Sequence, residues 1–209
     1  MRPLSDAEKL ARQDSLAGHA LALFVEKGYA KLTTEAVAQR SGMAKGTLFL
    51  TFGSKEELIL HGIRRRFEAW HDRLEAIDPR LSPAQLAIAM LESLRADPLL
   101  MPLLPLVCPV LEKGSSDAAI IQFKAALVRR FDGLAKCWAP LRPMVPLDAW
   151  FPLFFRIYAL TVGALSLGDL SPGVRAALAD DPLFHELPSS FEELCLPMLE
   201  AQLRAVLGD

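Results

Sequence analysis

The chain has 209 residues, of which 52% are apolar and 23% are charged. This balance is typical of globular domains and argues against a disordered, collagen-like or disulfide-stapled chain. The formal net charge of −2 argues against a nucleic-acid partner only if the charges are spread evenly. Residues 1–73 carry 12 Lys and Arg against 9 Asp and Glu, whereas residues 74–209 carry 11 against 16. This asymmetry predicts a small basic module followed by a larger acidic one.

The sequence predicts neither export nor a membrane span. The first residues lack the apolar core of a secretory signal. The longest uncharged apolar run, residues 98–111, is 14 residues long and contains four prolines, so it is too short and too broken to cross a bilayer. We therefore expect a cytoplasmic protein. The widely spaced Cys108, Cys137 and Cys195 predict buried reduced thiols, and no motif indicates a metal or a cofactor.

Several helices have clear start signals. Ser5, Ser54, Ser82 and Ser189 each stand three residues before a Glu or Gln, which is the spacing of a capping box. The first of these serines begins a predicted amphipathic helix over residues 6–27. The second begins a long helix to residue 77, because apolar residues then recur every three or four positions. That stripe consists of Ile59, Ile63, Phe67, Trp70, Leu74 and Ile77.

The rest of the chain also has helical patterns. Helices are predicted over residues 83–96, 98–112, 116–139, 147–168 and 190–207, with a weaker one over 173–180. Four prolines must kink or interrupt the second of these. No stretch alternates convincingly with period two, so the predicted fold class is all-α.

Residues 32–52 predict a helix-turn-helix. Two helices too short to stand alone must pack on each other here. Ala38 is small enough for close approach, and Gly42, four residues later, allows a left-handed turn. Met43 and Leu48 supply inward apolar contacts, and Phe52 closes the small core.

In such a motif the second helix, here about residues 45–51, lies in the major groove of DNA with its N-terminal part nearest the base edges. The first short helix opens with a hydroxyl and free amides that can hold a phosphate. The start of the long helix offers a second phosphate contact. The predicted DNA contacts are therefore Thr34, Lys45, Gly46, Thr47, Thr51 and Lys55.

Four motifs follow one another in this region: Thr-Thr at 33–34, Ala-x3-Gly at 38–42, Lys-Gly-Thr-Leu-Phe at 45–49 and Phe-Gly-Ser-Lys-Glu-Glu-Leu at 52–58. Their order resembles the DNA-binding domain of the TetR (tetracycline-repressor-like) regulators, over roughly residues 5–70. The resemblance implies a DNA-binding domain over 1–53, a linking helix over 54–77 and an effector-binding and dimerisation domain over 78–209. It implies a ligand-responsive repressor that a small apolar effector releases from a palindromic operator.

Three departures from the family pattern concern the recognition helix. Ala44 stands where a serine cap is usual, which costs about 1 kcal/mol of helix stability. Phe49 replaces a common tyrosine, and Leu50 and Thr51 stand where His and aromatic residues are frequent. These changes remove polar contacts but leave apolar groups that can touch a thymine methyl. Phe49 and Leu50 therefore join the predicted DNA contacts.

The resemblance further implies an apolar effector chamber and a two-fold dimer interface in the C-terminal helices. Each set of residues also has an alternative role as plain core. The candidate chamber residues are Leu100, Met101, Leu104, Gln122, Phe123, Trp138, Trp150, Phe154, Tyr158 and Thr161, with the amide and the two hydroxyls as polar handles. The candidate interface residues are Ala159, Gly163, Ala164, Leu167, Leu194, Met198, Leu199 and Leu203.

Two other classes of function remain as alternatives. An enzyme is disfavoured because no Gly-x-Ser-x-Gly, His-Glu-x-x-His, Walker A or Cys-x-x-Cys motif occurs. The four histidines lack ligand spacing, and His71 with Asp72 predicts a solvated helix face. A helical protein-interaction module with a degenerate helix-turn-helix is the second alternative, which Ala44 and Phe49 favour.

Overall fold

The computed structural model of this chain describes residues 5–168, 172–179, 182–184, 187–188 and 190–208. Within these ranges the backbone forms helices and turns and contains no strand, so the predicted all-α class is confirmed. The α-helices of these ranges are α1 Asp6–Lys27, α2 Thr34–Ser41, α3 Lys45–Thr51, α4 Lys55–Glu75, α5 Pro83–Arg95, α6 Leu100–Leu103, α7 Asp117–Trp138, α8 Leu147–Gly168, α9 Pro172–Ala179 and α10 Phe191–Leu207.

Serine caps begin α1, α4 and α5 at the predicted positions. Ser5 and Ser82 form complete capping boxes, in which each serine exchanges hydrogen bonds with the Glu or Gln three residues later. Ser54 accepts the Glu57 amide at 3.1 Å. The Glu57 carboxylate instead accepts the amide of Gly53 at 2.9 Å, so this box is only half formed.

The observed cap of α10 lies one residue after the predicted one. The hydroxyl of Ser190 accepts the amide of Glu193 at 3.2 Å. Ser189, the predicted cap, lies outside the described residues. Because both serines precede a Glu by three residues, the spacing alone does not distinguish them.

The single helix predicted over residues 98–112 is wrong. The segment consists of α6, a 3₁₀ turn over Leu104–Leu106 and a π-helical turn over Val107–Leu111. Pro102, Pro105 and Pro109 have no amide hydrogen and crowd the turn before them, so an unbroken α-helical ladder cannot pass through them. The sequence predicts the interruption but not the change of helical pitch.

The chain divides into two compact units, each built from two stretches. The first unit holds the residues up to Ala69 together with Leu106–Val128, and the second holds Trp70–Pro105 together with the chain from Arg129 onward. Each of these units combines stretches that are distant in the sequence, so they do not correspond to the predicted domains 1–53 and 78–209. That division, which concerned DNA binding and effector binding, stays a prediction.

The apolar stripe of α4 is buried as predicted. Ile59 and Ile63 are fully buried in the first unit, and Trp70 and Leu74 are buried in the second. Gly62 lies beside this stripe, and a Cβ atom there would come within 2.9 Å of a Leu21 methyl on α1. Glycine therefore permits the close approach of α1 and α4 that supports the helix-turn-helix.

In the second unit, α10 packs against both α8 and α5. α8 is the one continuous helix in the described chain that is long and apolar enough to span a membrane by length and composition. A core helix of a globular protein meets the same criteria, and the face of α8 with Trp150, Phe154 and Ile157 is buried.

The prediction for His71 is wrong, because its side chain is fully buried. It lies three residues before Leu74, on the flank of the buried stripe of α4. Its ring centroid is 5.7 Å from that of Trp70 and 5.2 Å from that of Phe131. Burial, together with the charge of Arg130, lowers the pKa of His71 to about 3.

The cysteine prediction holds for one residue of three. Cys195 is fully buried, whereas Cys108 and Cys137 are exposed. Cys137 lies between the buried Ala135 and Trp138 of α7 but points to the outer side of the helix. Apolar sequence neighbours therefore did not determine which face these two cysteines occupy.

Candidate DNA-binding surface

The turn between α2 and α3 has the geometry that the Ala-x3-Gly spacing predicts. Gly42 has a left-handed backbone with φ of 67°, a conformation that residues other than glycine rarely adopt. Its amide donates to the carbonyls of Ala38 and Gln39, and the Met43 amide donates to Ala38 at 3.0 Å. These bonds close the C-terminus of α2 and set the direction in which α3 begins.

α3 is held by its inner face and exposes its outer face. Leu48 is fully buried and packs the helix into the first unit. Lys45 and Gly46 are exposed, Phe49 is 45% exposed and Leu50 is 91% exposed. The predicted DNA contacts on this helix therefore include the side chains most open to a partner.

The beginning of α3 lacks a side-chain cap. Ala44 occupies the N-cap position with an extended backbone, and no side chain of the described residues accepts the first amides of the helix. At the other end, the hydroxyl of Thr51 donates to the Thr47 carbonyl at 2.9 Å. The Thr51 hydroxyl therefore already has a partner within the protein. The amide hydrogens in the first turn of α3 have no side-chain acceptor among the described residues.

Lys45 forms an ion pair that has no signal in the sequence. Its ammonium pairs with the carboxylate of Glu35 on α2 and lies 5.7 Å from the centroid of the Phe49 ring. The hydrogen bond from Lys45 lowers the pKa of Glu35 to about 2. The two charged residues are ten positions apart on different helices, so no local pattern identifies the pair.

Lys55 has a structural role beside its predicted phosphate contact. Its ammonium donates to the carbonyl of Leu32 at 3.2 Å and lies 4.2 Å from the centroid of the Tyr29 ring. The hydroxyl of Tyr29 in turn donates to the carboxylate of Glu56. Lys55 therefore fastens the 3₁₀ turn after α1 to the start of α4.

Thr34 is the first residue of α2, and Thr33 is its cap, accepting the amide of Ala36 at 3.1 Å. A shallow groove on the first unit brings Thr34, Phe49 and Lys55 together. Its remaining lining residues are Leu32, Thr33, Glu35, Gly53 and Ser54. Three predicted contacts from three helices thus share one surface.

The candidate effector residues fall into two groups. Gln122 and Phe123 belong to the first unit, and the other eight belong to the second. Within the second unit, the rings of Trp138, Trp150 and Phe154 are fully or almost fully buried, with centroids 5.4 to 5.9 Å apart. These three residues form an aromatic core.

This aromatic core carries two unused donors. The indole nitrogens of Trp138 and Trp150 are buried and have no hydrogen-bond partner in the described part of the chain. Thr161 is also buried, 3% exposed, whereas Met101 and Tyr158 are half-buried. Buried donors without acceptors are costly, so they mark a place where a hydrogen-bond acceptor is favoured.

The candidate dimer residues also divide. Ala164, Leu199 and Leu203 are buried within the second unit, so they form internal core contacts. The other five lie on open or half-open faces of two helices. These are Ala159, Gly163 and Leu167 on α8, all exposed, and Leu194 and Met198 on α10, both half-buried.

Comparisons with known families agree with this architecture. The family described as "Bacterial regulatory proteins, tetR family" matches residues 18–61. The family described as "Tetracyclin repressor-like, C-terminal domain" matches residues 61–205. The chain therefore belongs to the TetR family of transcriptional regulators. Such proteins bind DNA, are typically dimers and typically have no enzymatic activity.

Solved structures share the fold over nearly the whole chain. SCO4313, a proposed regulatory protein, is 20% identical with a TM-score of 0.55, and the match covers 99% of this chain and 100% of that one. A proposed TetR-family regulator from Mesorhizobium loti is 18% identical with a TM-score of 0.53, covering 95% and 96%. One from Shewanella sp. is 18% identical with a TM-score of 0.51, covering 94% and 95%. No curated protein matches the sequence.

Proposed function

We propose that this TetR-family protein is a homodimeric repressor that binds a palindromic operator in the cytoplasm and is released by a small apolar effector. The observation that carries the proposal is the outer face of α3. A seven-residue helix, anchored by Leu48, exposes Lys45, Phe49 and Leu50 on its outer face. This combination of a cation and apolar groups fits phosphates and base edges in a major groove.

Dimerisation is supported by apolar groups on the open faces of α8 and α10. Phe155 and Leu167 on α8 are 50% and 69% exposed, and the small Ala159 and Gly163 lie between them at helical spacing. An apolar stripe interrupted by small residues allows two copies of a helix to approach closely. A two-fold pair of recognition helices would match an operator whose half-sites are about one helical turn apart.

Effector binding is supported by the second unit's aromatic core. The buried indole donors of Trp138 and Trp150 favour a mainly apolar molecule that carries an acceptor oxygen or nitrogen. If such a molecule prefers a conformation in which the recognition helices are wrongly spaced, effector and DNA oppose each other equally, typically by about 1–3 kcal/mol. α4, which contributes residues to both units, is the element proposed to transmit this change.

Selection of DNA from a random library by the purified protein tests the proposal. We expect the enriched sequences to contain an inverted repeat with thymines in each half-site. The same selection with a Lys45→Ala, Leu50→Ala double variant should enrich nothing. Enrichment of a single, unrepeated site would contradict two-fold recognition, and no enrichment at low salt would favour the protein-interaction module.

A further inference from the structure

The first unit contains a cavity that shares only one residue, Thr51, with the predicted DNA contacts. Its volume is about 270 Å³. α1, the end of α3, one face of α4 and the start of α7 all contribute to its lining. Taking about 30 Å³ for each water, this volume corresponds to roughly nine water-sized groups. The cavity therefore fits an organic molecule of about that many non-hydrogen atoms.

One part of the lining is apolar. Phe52, Leu60 and Phe123 are each less than one-tenth exposed and contribute to this wall. Burying the carbon skeleton of a ligand against them is favourable because it removes apolar surface from water.

His61 lines the cavity as a neutral ring. Its Nε2 lies 2.7 Å from a carboxylate oxygen of Asp14, and its Nδ1 lies 3.3 Å from the guanidinium of Arg64. A guanidinium has only donors, so Nδ1 must accept and the ring proton must lie on Nε2. Burial lowers the pKa of His61, in agreement with this tautomer. His61 therefore brings neither charge nor a spare donor to the cavity.

Glu57 is an ionised group whose oxygens are already occupied. They accept the amides of Gly53 and Ser116, each at 2.9 Å. Burial would raise the pKa of Glu57, but the hydrogen bonds from Ser116 and Gly53 outweigh it and lower the pKa. Its charge is thus stabilised by two amide dipoles and does not require a cationic ligand.

Arg64 and two glutamines supply the spare donors. Besides its contact with the His61 ring, Arg64 lies 3.6 Å from the carboxylate of Glu68. That carboxylate pairs more closely with Arg65, at 2.7 Å. Arg64 has five N–H donors, so most of them are available. The side-chain amides of Gln13 and Gln122 also line the cavity and make no hydrogen bond within the described part of the chain.

We propose that this cavity binds a small organic carboxylate with an apolar body. The guanidinium of Arg64 would hold the carboxylate, the two glutamine amides would complete its hydrogen bonds, and the buried apolar wall would receive the carbon skeleton. Thr51 and Phe52, at the end of α3, also line the cavity, so its occupant contacts the recognition helix. The proposal requires neither DNA nor a dimer, so it stands or falls separately from the proposed function.

Benzoate and benzamide form a matched pair of ligands for the test, because they share size and shape and differ in charge. Calorimetric titration of the full chain without DNA, at constant salt and neutral pH, should give a dissociation constant for benzoate about tenfold lower than for benzamide. Equal affinities, or no benzoate binding at millimolar concentration, would overturn the proposal.

Three variants locate the site. Arg64→Gln should weaken benzoate binding about tenfold. Arg40→Gln removes the same charge elsewhere in the first unit, from a residue that does not line this cavity, and should bind benzoate as the unaltered protein does. Gln122→Glu changes an exposed side chain that makes no hydrogen bond within the described part of the chain, and should weaken the binding of benzoate but not of benzamide. Unchanged benzoate binding by Arg64→Gln or Gln122→Glu would refute the assignment.

Discussion

Leu48 and Leu50 show how one short helix separates anchoring from recognition. Leu48 is fully buried, whereas Leu50 is 91% exposed and gains almost nothing from folding. The major groove presents one apolar group, the 5-methyl group of thymine. An exposed leucine on a recognition helix therefore predicts contact with a thymine.

Replacing thymine by uracil in a selected operator tests this contact, because only the methyl group is lost. Each contacted thymine should contribute about fourfold to affinity, the equivalent of burying one methyl group. Leu50→Ala should weaken binding and abolish the difference between the two DNAs. Met144→Ala is a matched control, since Met144 is 92% exposed but lies in the second unit. A Leu50→Ala protein that still distinguishes uracil from thymine would contradict the assignment.

Glu35 competes with DNA for Lys45. Because the two side chains are paired in the free protein, Glu35→Gln should release the lysine and remove a negative charge from the DNA-facing surface. We expect tighter operator binding by up to about fivefold, the upper range for an exposed ion pair. Fluorescence anisotropy with labelled operator measures the change. Asp132→Asn, which breaks an exposed pair in the second unit, should have no effect, and weaker binding by Glu35→Gln would refute the competition.

His71 makes stability depend on pH. The pKa of His71 is about 3 in the folded protein, against an ordinary value of 6.5. Between these values the unfolded chain binds a proton that the folded chain does not. The free energy of unfolding should therefore fall as the pH drops below about 6.5, by up to about 1.4 kcal/mol per pH unit.

The pH effect of His71 is measured by urea unfolding at several pH values between neutral and about 4. His71→Leu places an apolar side chain of similar size at this buried position and has no titrating group. The difference in unfolding free energy between the two proteins should shift in favour of the variant as the pH falls. A difference that stays constant with pH would show that His71 is accessible to protons in the folded state.

At the scale of elements, local sequence signals predicted where helices begin better than they predicted features that depend on tertiary packing. The capping serines and the α4 stripe are encoded within a few residues, so α1, α4 and α5 begin where expected. The prolines of residues 98–111 forbid a regular helix, but they do not specify which turns replace it. The helical pitch of this segment depends on tertiary packing, which the spacing of residues in the sequence does not reveal.

The candidate site divides in the same way. The spacing around Gly42 correctly predicted the turn and the outward face of α3, because both follow from backbone geometry. The Glu35–Lys45 pair and the carbonyl contacts of Lys55 depend on tertiary placement and had no sequence signal. Periodicity likewise identified apolar residues of α8 and α10 but not which of them, such as Ala164, face inward.

The exposed stripe of α8 predicts a dimer interface, and Gly163 offers a clean way to block it. A Cβ atom added there would meet no atom within 4 Å in the described structure, and Gly163 is exposed, so the fold should tolerate Gly163→Arg. In a two-fold interface the same surface of both copies is in contact, so the added arginine would be pressed against the apolar face of the partner and brought near the partner's own arginine. Sedimentation equilibrium should therefore show a dimer for the unaltered protein and a monomer for the variant.

A matched control for this experiment is Gly18→Arg. Gly18 also lies on a helix with no atom within 4 Å of the added Cβ, but it belongs to α1 in the first unit. This variant should remain dimeric. A monomeric unaltered protein, or a dimer that persists in Gly163→Arg, would exclude the α8 face as the interface.

At the scale of the whole molecule, the net charge does not indicate the function, because charges of opposite sign are unevenly distributed along the chain. The total of −2 conceals a net charge of +3 in residues 1–73 and −5 in the remainder. Part of the positive charge is neutralised locally, as the Lys45 pair shows. The affinity for DNA should therefore depend on a few specific contacts more than on the net charge of the domain. The acidic remainder of the chain should limit non-specific binding to DNA.

Operator binding as a function of salt tests the central claim most directly. For the unaltered protein, the logarithm of the binding constant should fall linearly with the logarithm of salt concentration. Lys45→Ala should reduce that slope by about one, since one phosphate contact is lost. Lys136→Ala, an exposed lysine of the second unit, should leave the slope unchanged. No binding at low salt, or a slope insensitive to Lys45, would contradict DNA recognition through α3.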